Sequence, residues 1–236
     1  MALILSIESS TEVCSVTIAR DGTAILSREE LTGQNHARLL TVFIDEVLIC
    51  SNIAIEQLDA VAVSGGPGSY TGLRIGVSVA KGICYALHLP LCAISSLESL
   101  AHHVIHDIVN HISMETDKVL FCPMIDARRM EVYTSFYDKN ETQIRRIQAD
   151  IIDHKSYLDF LENNTVYFFG NGAAKCREAI THPNAIFING IFSSSKNMIG
   201  LAERNFRRQE FVDVAYYEPF YLKDFVTTIP VKNKIQ

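Results

Sequence analysis

Long hydrophobic runs are missing from this 236-residue chain. No stretch reaches the roughly 18 apolar residues that a membrane-spanning helix needs. A C-x-x-C pair is missing too. The six cysteines, Cys14, Cys50, Cys84, Cys92, Cys122 and Cys176, are scattered and lie mostly in apolar segments. That is the pattern of reduced, buried thiols rather than of a disulfide framework. No basic region precedes the short apolar stretch 1–6, which reads as a first strand and not as a signal peptide. The expected compartment is the cytoplasm. Glycine (12) and proline (6) are too few for a collagen-like chain, and 48% apolar with 20% charged residues excludes disorder. A basic surplus is also absent. The net charge is −6, with 5 Lys/Arg against 11 Asp/Glu in residues 1–112 and 16 against 16 in residues 113–236. Such a balance does not suit a free-standing nucleic-acid binder, which must neutralise phosphates. The arginine clusters Arg145/Arg146 and Arg204/Arg207/Arg208 read as solvated faces.

What is present is an ordered series of patterns. ALILSIE and VCSVTIA read as strands, Asp21-Gly22 as a hairpin turn, and TAILSRE as a third strand. From His36, apolar residues recur at helical spacing (Leu39, Leu40, Phe43, Val47, Leu48). AVAVSG reads as a buried strand, 73–87 as a second helix and PLCAIS as a strand. Ser95 and Glu98 form a capping box that opens a third helix. The first half is therefore β-β-β-α-β-α-β-α. VLFCPMID and EVYTSFY, a hairpin around Ala127-Arg128-Arg129, start the same order again. TQIRRIQA, SYLDFLEN, TVYFFG, AAKCREAI, AIFI and SSKNMIGLAERNFRRQ continue it. Two successive α/β units of mixed sheets flanked by helices are expected, over residues 1–112 and 113–236. The boundary should fall in the polar stretch near 111–117.

The densest feature is SGGPGSYTGLRIG, residues 64–76. It is neither a Walker A loop nor G-x-G-x-x-G. It can cradle an anion, or it can simply make a tight turn with Ser69 or Thr71 capping the helix. In that helix Gly72, Gly76, Ala80 and Cys84 repeat every fourth residue, with Leu73 beside them. Such a stripe lets another backbone approach, from the chain itself or from a partner. The preceding helix is apolar around more than one face, adding Val42, Ile44 and Ile49. Surplus apolar surface on two adjacent helices points to a protein–protein interface. Glu8 with Ser9, Ser10 and Thr11 has the composition of a phosphate-type turn, but without glycine its hydroxyls suit turn hydrogen bonding better. His102 and His106 stand at i, i+4 without H-E-x-x-H and without an evident third ligand, and His103 can pair with Asp107. No metal and no cofactor are expected.

IESSTEVCSVTIARDG, HARLL, SGGPGSYTGLRIGVSVAKG, DARR-x-EVY and PFYLKD, in this order, resemble the TsaB (YeaZ) family. These are bacterial subunits of the tRNA threonylcarbamoyladenosine machinery. The resemblance is densest over residues 3–95, returns at 125–133 and is thin over 140–215. It extends to the catalytic paralogue TsaD. This chain departs from that enzyme: Leu40 stands four residues after His36, so the first helix carries no histidine pair, and the second half is short. The resemblance implies a duplicated actin/hexokinase-like (ASKHA) fold and a non-catalytic scaffold role. It also implies docking on a TsaD-like subunit through the first two helices, at His36, Leu39, Leu40, Phe43, Val47, Gly72, Leu73, Gly76 and Ala80. A TsaE-like ATPase would be the third component, tRNA would be reached only through the complex, and the chain would self-associate when alone. The alternatives are an ATP-dependent phosphotransferase using Glu8 and residues 9–11, and a metallopeptidase using His102 and His106.

Overall fold

A computed structural model describes residues 2–31, 33, 35–108 and 118–223. The chain builds two five-stranded mixed sheets. The first contains β1 (Leu3–Glu8), β2 (Cys14–Arg20), β3 (Thr23–Glu30), β4 (Ala60–Gly66) and β5 (Leu91–Ser95), in the order β3-β2-β1-β4-β5. β1 and β4 are buried along their whole length, as continuous apolar runs in the middle of a covered sheet must be. β3 is an edge strand with no buried residue. Asp21 and Gly22 both take positive φ (51° and 77°), the geometry that a tight two-residue hairpin demands.

The second sheet contains β6 (Val119–Asp126), β7 (Glu131–Tyr137), β8 (Gln143–Ile151), β9 (Thr165–Phe169) and β10 (Ala185–Phe187), in the order β10-β9-β6-β7-β8. Both sheets repeat one plan: three antiparallel strands, then two that join in parallel on the other side of the first. The expected duplication of strand order is thus met.

The helices are less alike. α1 (His36–Cys50) and α2 (Tyr70–Leu87) cover one face of the first sheet. Ser69 caps α2 by accepting the Gly72 N–H at 3.3 Å. α3 (Ser96–His103) is capped by Ser95, which accepts from the Glu98 N–H at 3.4 Å, and continues as a π-helical turn, Val104–Ile108. In the second half the helix expected over SYLDFLEN is only α4 (Leu158–Leu161), because Tyr157 adopts φ +65° and stops it from extending backwards. The helix expected over AAKCREAI is a 3₁₀ turn, Ala174–Cys176, within successive turns. The long helix expected from Ser194 starts later, as α5 (Ile199–Arg208), behind a 3₁₀ turn, Ser195–Met198. That turn is pinned to β2: the Ser195 N–H donates to Ser15 Oγ at 2.7 Å, and Ser195 Oγ lies 2.7 Å from Thr17 Oγ1.

The last helix of each half covers the other half's sheet. Leu97, Leu100 and Val104 pack on Phe121, Ile125 and Phe169. Met198, Leu201 and Ala202 pack on Ile4, Ala62 and Ile94. The two helices cross closely at Gly200, where a Cβ would lie 2.6 Å from His102 Nε2. The boundary expected near 111–117 lies outside the described residues. Among the described residues no helix is long and apolar enough to cross a membrane.

Candidate functional site

β1 ends in Glu8, which is fully buried with the Ser9–Ser10 turn behind it. The Ser10 N–H donates to Glu8 Oε1 at 2.6 Å, and the Ser9 N–H donates to Ser64 Oγ at 3.1 Å. The Ser10 carbonyl accepts the Ser69 N–H at 2.6 Å, while Thr11 Oγ1 accepts from Val13 at 3.3 Å. Burial pushes the Glu8 carboxyl above the usual range, against opposing hydrogen bonds from Ser10, Ser64 and Ser9. The backbone donors of Ser9 and Ser10, which a phosphate would need, are thus consumed internally.

The glycines of the neighbouring loop and helix explain how the turn is closed. A Cβ on Gly68 would strike the Ser10 carbonyl, one on Gly72 the Ser9 carbonyl, and one on Gly76 the Ser9 hydroxyl. The four-residue stripe therefore receives a backbone, and that backbone is the chain's own Ser9–Ser10 turn. Ala80 and Cys84 continue it into the core under α1. Residues near the C-terminus lie over the same loop. The Val212 N–H donates to the Leu91 carbonyl at 2.9 Å and the Phe220 N–H to the Gly65 carbonyl at 2.8 Å. Gly66 needs its glycine, since φ is +100° and a Cβ would sit 2.7 Å from the Phe220 carbonyl oxygen. Lys81 Nζ donates to the carbonyls of Ala215 and Tyr217 at 3.1 and 3.0 Å. Between this strap and the strand ends is an apolar cavity of about 280 Å³, lined by Gly65, Gly66, Ile94, Ile147, Tyr217 and Phe220. PFYLKD was legible as a motif, but the seat of its Phe220 on the glycine loop was not.

On the two helices, His36, Leu40 and Val47 of α1 and Gly72, Leu73, Gly76 and Ala80 of α2 are buried. His36 Nε2 lies 3.1 Å from the Val13 carbonyl, and Leu40 is part of the core. Leu39 and Phe43 are half-buried, as are Ile75, Val79 and Ile83. Val42 is 46% and Tyr85 80% exposed, and nothing lies within 4 Å of a Cβ placed on Gly82. Leu39, Phe43, Ile75, Val79 and Ile83 thus flank the core with part of their surface open, and Val42, Ile49 and Tyr85 are the apolar side chains that α1 and α2 leave exposed.

At the far end of α3, His102 Nδ1 lies 2.6 Å from Glu141 Oε1, and His106 Nε2 contacts the same oxygen. Glu141 comes from the β7–β8 hairpin, 39 residues away from His102, so no spacing rule exposes it in the sequence. His103 pairs with Asp107 at 2.8 Å, as i, i+4 spacing suggested. The arginine cluster is paired with acids: Arg204 with Glu98 (2.5 Å) and Glu141 (3.2 Å), Arg207 with Glu203 (2.7 Å) and Arg208 with Glu210 (3.9 Å). Glu98, expected to complete a capping box, is committed to Arg204 instead. Arg128 and Arg129 are exposed at the hairpin tip with φ +72° and +49°, and Asp126 Oδ1 accepts the Arg128 N–H at 2.8 Å. Asn171 ties the two halves together: its amide oxygen accepts the Asp126 N–H at 3.0 Å and its amide nitrogen donates to Glu12 at 2.7 Å.

Fold and site define a class: a duplicated α/β protein of the glycoprotease/ASKHA-like kind, with its phosphate-type turn closed by its own glycine helix. The family model described as "TsaD: tRNA N6-adenosine threonylcarbamoyltransferase" matches residues 25–230. The tRNA threonylcarbamoyladenosine biosynthesis protein TsaB of Bacillus subtilis is 30% identical over 182 residues, 75% of this chain and 74% of that one. TsaB of Haemophilus influenzae is 26% identical over 229 residues, 95% of this chain and 94% of that one. The structure of YeaZ from Pseudomonas aeruginosa superposes with a TM-score of 0.79 at 26% identity, over 94% of this chain and 100% of that one. The chain belongs to the TsaB/YeaZ family, within the larger family that the TsaD model describes.

Proposed function

We propose that this chain binds a TsaD-type subunit through the outward faces of α1 and α2. Its role in the family is that of the non-catalytic partner, which supports threonylcarbamoylation of tRNA adenosine without performing the transfer. One observation supports the docking surface: Val42 and Tyr85 are exposed on helices whose inner faces already fill the core, beside Leu39, Phe43 and Ile83, which pack on that core and stay half-exposed at its edge. The buried residues His36, Leu40, Val47, Gly72, Leu73, Gly76 and Ala80 support that surface from beneath. The same reading includes a TsaE-like ATPase as third component, tRNA contact only through the assembly, a cytoplasmic setting, and self-association through this face when the partner is missing. It treats residues 1–112 and 113–236 as two units that exchange their last helices.

The test is calorimetric titration of the chain with the TsaD-type protein of the same source, beside a titration with ATP alone. The double variant Val42→Asp/Tyr85→Glu, at two exposed positions, should bind at least about 100-fold more weakly, as loss of two interface anchors implies, with an unchanged melting temperature. Wild-type affinity in that variant sinks the surface. Stoichiometric ATP binding by the isolated chain, abolished by Glu8→Ala, would favour a phosphotransferase instead.

A further inference from the structure

We infer that His102, His106 and Glu141 form a binding site for a divalent transition metal of the zinc type, where α3 meets the β7–β8 hairpin. The site is separate from the docking helices and does not depend on the proposed function. One ring nitrogen each of His102 and His106 and a carboxylate oxygen of Glu141 all lie within 4.8 Å of one another, His102 Nδ1 and His106 Nε2 both contact Glu141 Oε1, and the two imidazole centroids are 4.6 Å apart. Two imidazoles and one carboxylate are a recurrent protein ligand set for tetrahedral zinc with a fourth position left to water. Imidazole nitrogen with a single carboxylate oxygen favours zinc, cobalt or nickel over magnesium or calcium, which prefer all-oxygen cages.

The surroundings fix each donor. The Nε2 edge of His102 faces Gly200 of α5, where even a Cβ would lie 2.6 Å away, so Nδ1 is the nitrogen left to ligate. Arg204 holds Glu141 Oε2 at 3.2 Å and is itself held by Glu98 at 2.5 Å. That leaves Oε1 as a monodentate donor and gives the carboxylate the kind of outer hydrogen bond that orients metal ligands. The three donors are graded in exposure: the Glu141 side chain is 15% exposed, His102 22% and His106 48%. A metal would enter from the His106 side and keep water there. Bound metal would also link α3, the hairpin and, through Gly200, α5, at the junction of the two halves.

The full chain is titrated with Zn²⁺ by calorimetry and with Co²⁺ by visible absorption, with circular dichroism melts as the folding control. One equivalent should bind, and Co²⁺ should give the intense absorption of tetrahedral coordination. His106→Ala and Glu141→Gln, each still folded, should each lower affinity at least about 100-fold, since loss of outer-shell partners alone costs 10–100-fold. His103→Ala, on the adjacent pair, should leave binding intact. No saturable binding, or binding indifferent to His106→Ala and Glu141→Gln, or binding lost with His103→Ala, overturns the assignment.

Discussion

The first and second sheets follow the same strand order, yet the layers on their outer faces are built from different materials. Over the first sheet lie α1 and α2, 15 and 18 residues long, the second approaching closely along glycines. Over the second lie α4, four residues long, and a three-residue 3₁₀ turn, and aromatic rings fill the layer. Phe160 stacks on Phe136 at 4.2 Å, and Phe187 stacks on Phe168 at 5.1 Å. The outer face of such a sheet can thus be covered with a single helical turn, a 3₁₀ turn and rings. The long helices of the first half cover their sheet with more than that, and Val42, Ile49 and Tyr85 stay exposed on them.

The ring layer should be the most sensitive place to break this contrast. Phe136→Ala is expected to cost about 3–5 kcal/mol, the usual range for a fully buried phenylalanine. A loss below about 1 kcal/mol in denaturant unfolding would show that rings do not carry the second half.

Two glycines of one helix sharpen it further. Gly72→Ala drives a Cβ into the Ser9 carbonyl and should destabilise by about 1–3 kcal/mol. Gly82→Ala meets nothing within 4 Å and should stabilise by about 0.5–1 kcal/mol through helix propensity. Thermal melts with the same sign for both would refute a stripe fitted to the Ser9–Ser10 turn.

Glu8→Gln tests the closed turn through pH. The folded-state pKa of Glu8 is raised by burial, so its stabilising contribution is full at low pH and falls away as pH rises through that value. Glutamine keeps an acceptor for the Ser10 N–H but does not ionise. The variant should therefore gain on the wild type as pH rises from 5 to 9, and a pH-independent difference would mean that Glu8 is not held in a dry site.

The smallest effect concerns thiols. Burial pushes Cys14, Cys84 and Cys176 up to about 11 and Cys92 to about 12, and raises Cys122 as well. Cys50, at the end of α1, is the exposed one of six. A thiol reagent should titrate one cysteine in the native protein and six after denaturation; rapid labelling of more than one would mean that the cores are looser than they look.

The Asp21-Gly22 hairpin, the buried runs of β1 and β4, and α1 and α2 were all legible, because alternation, continuous burial and 3.6-residue periodicity are properties of neighbouring residues. The second-half helices were overread for the same reason. AAKCREAI has helical composition, but Gly170 and Gly172 bring its start against the Met124 and Ile125 backbone, and the chain turns there instead. Of the site, the spacing of Gly72, Gly76 and Ala80 was visible in the residues, while the identity of what fills the stripe was not. That required Ser9, more than sixty residues earlier, to be folded onto α2. Glu141 beside His102 and His106, Arg204 between two carboxylates, and Phe220 over Gly65 belong to the same kind of fact. Strand order and helix period follow from short-range sterics and hydrophobic pattern, so they are written along the chain. Which distant side chains share a site depends on how two sheets and their exchanged helices pack, and only the folded chain sets that.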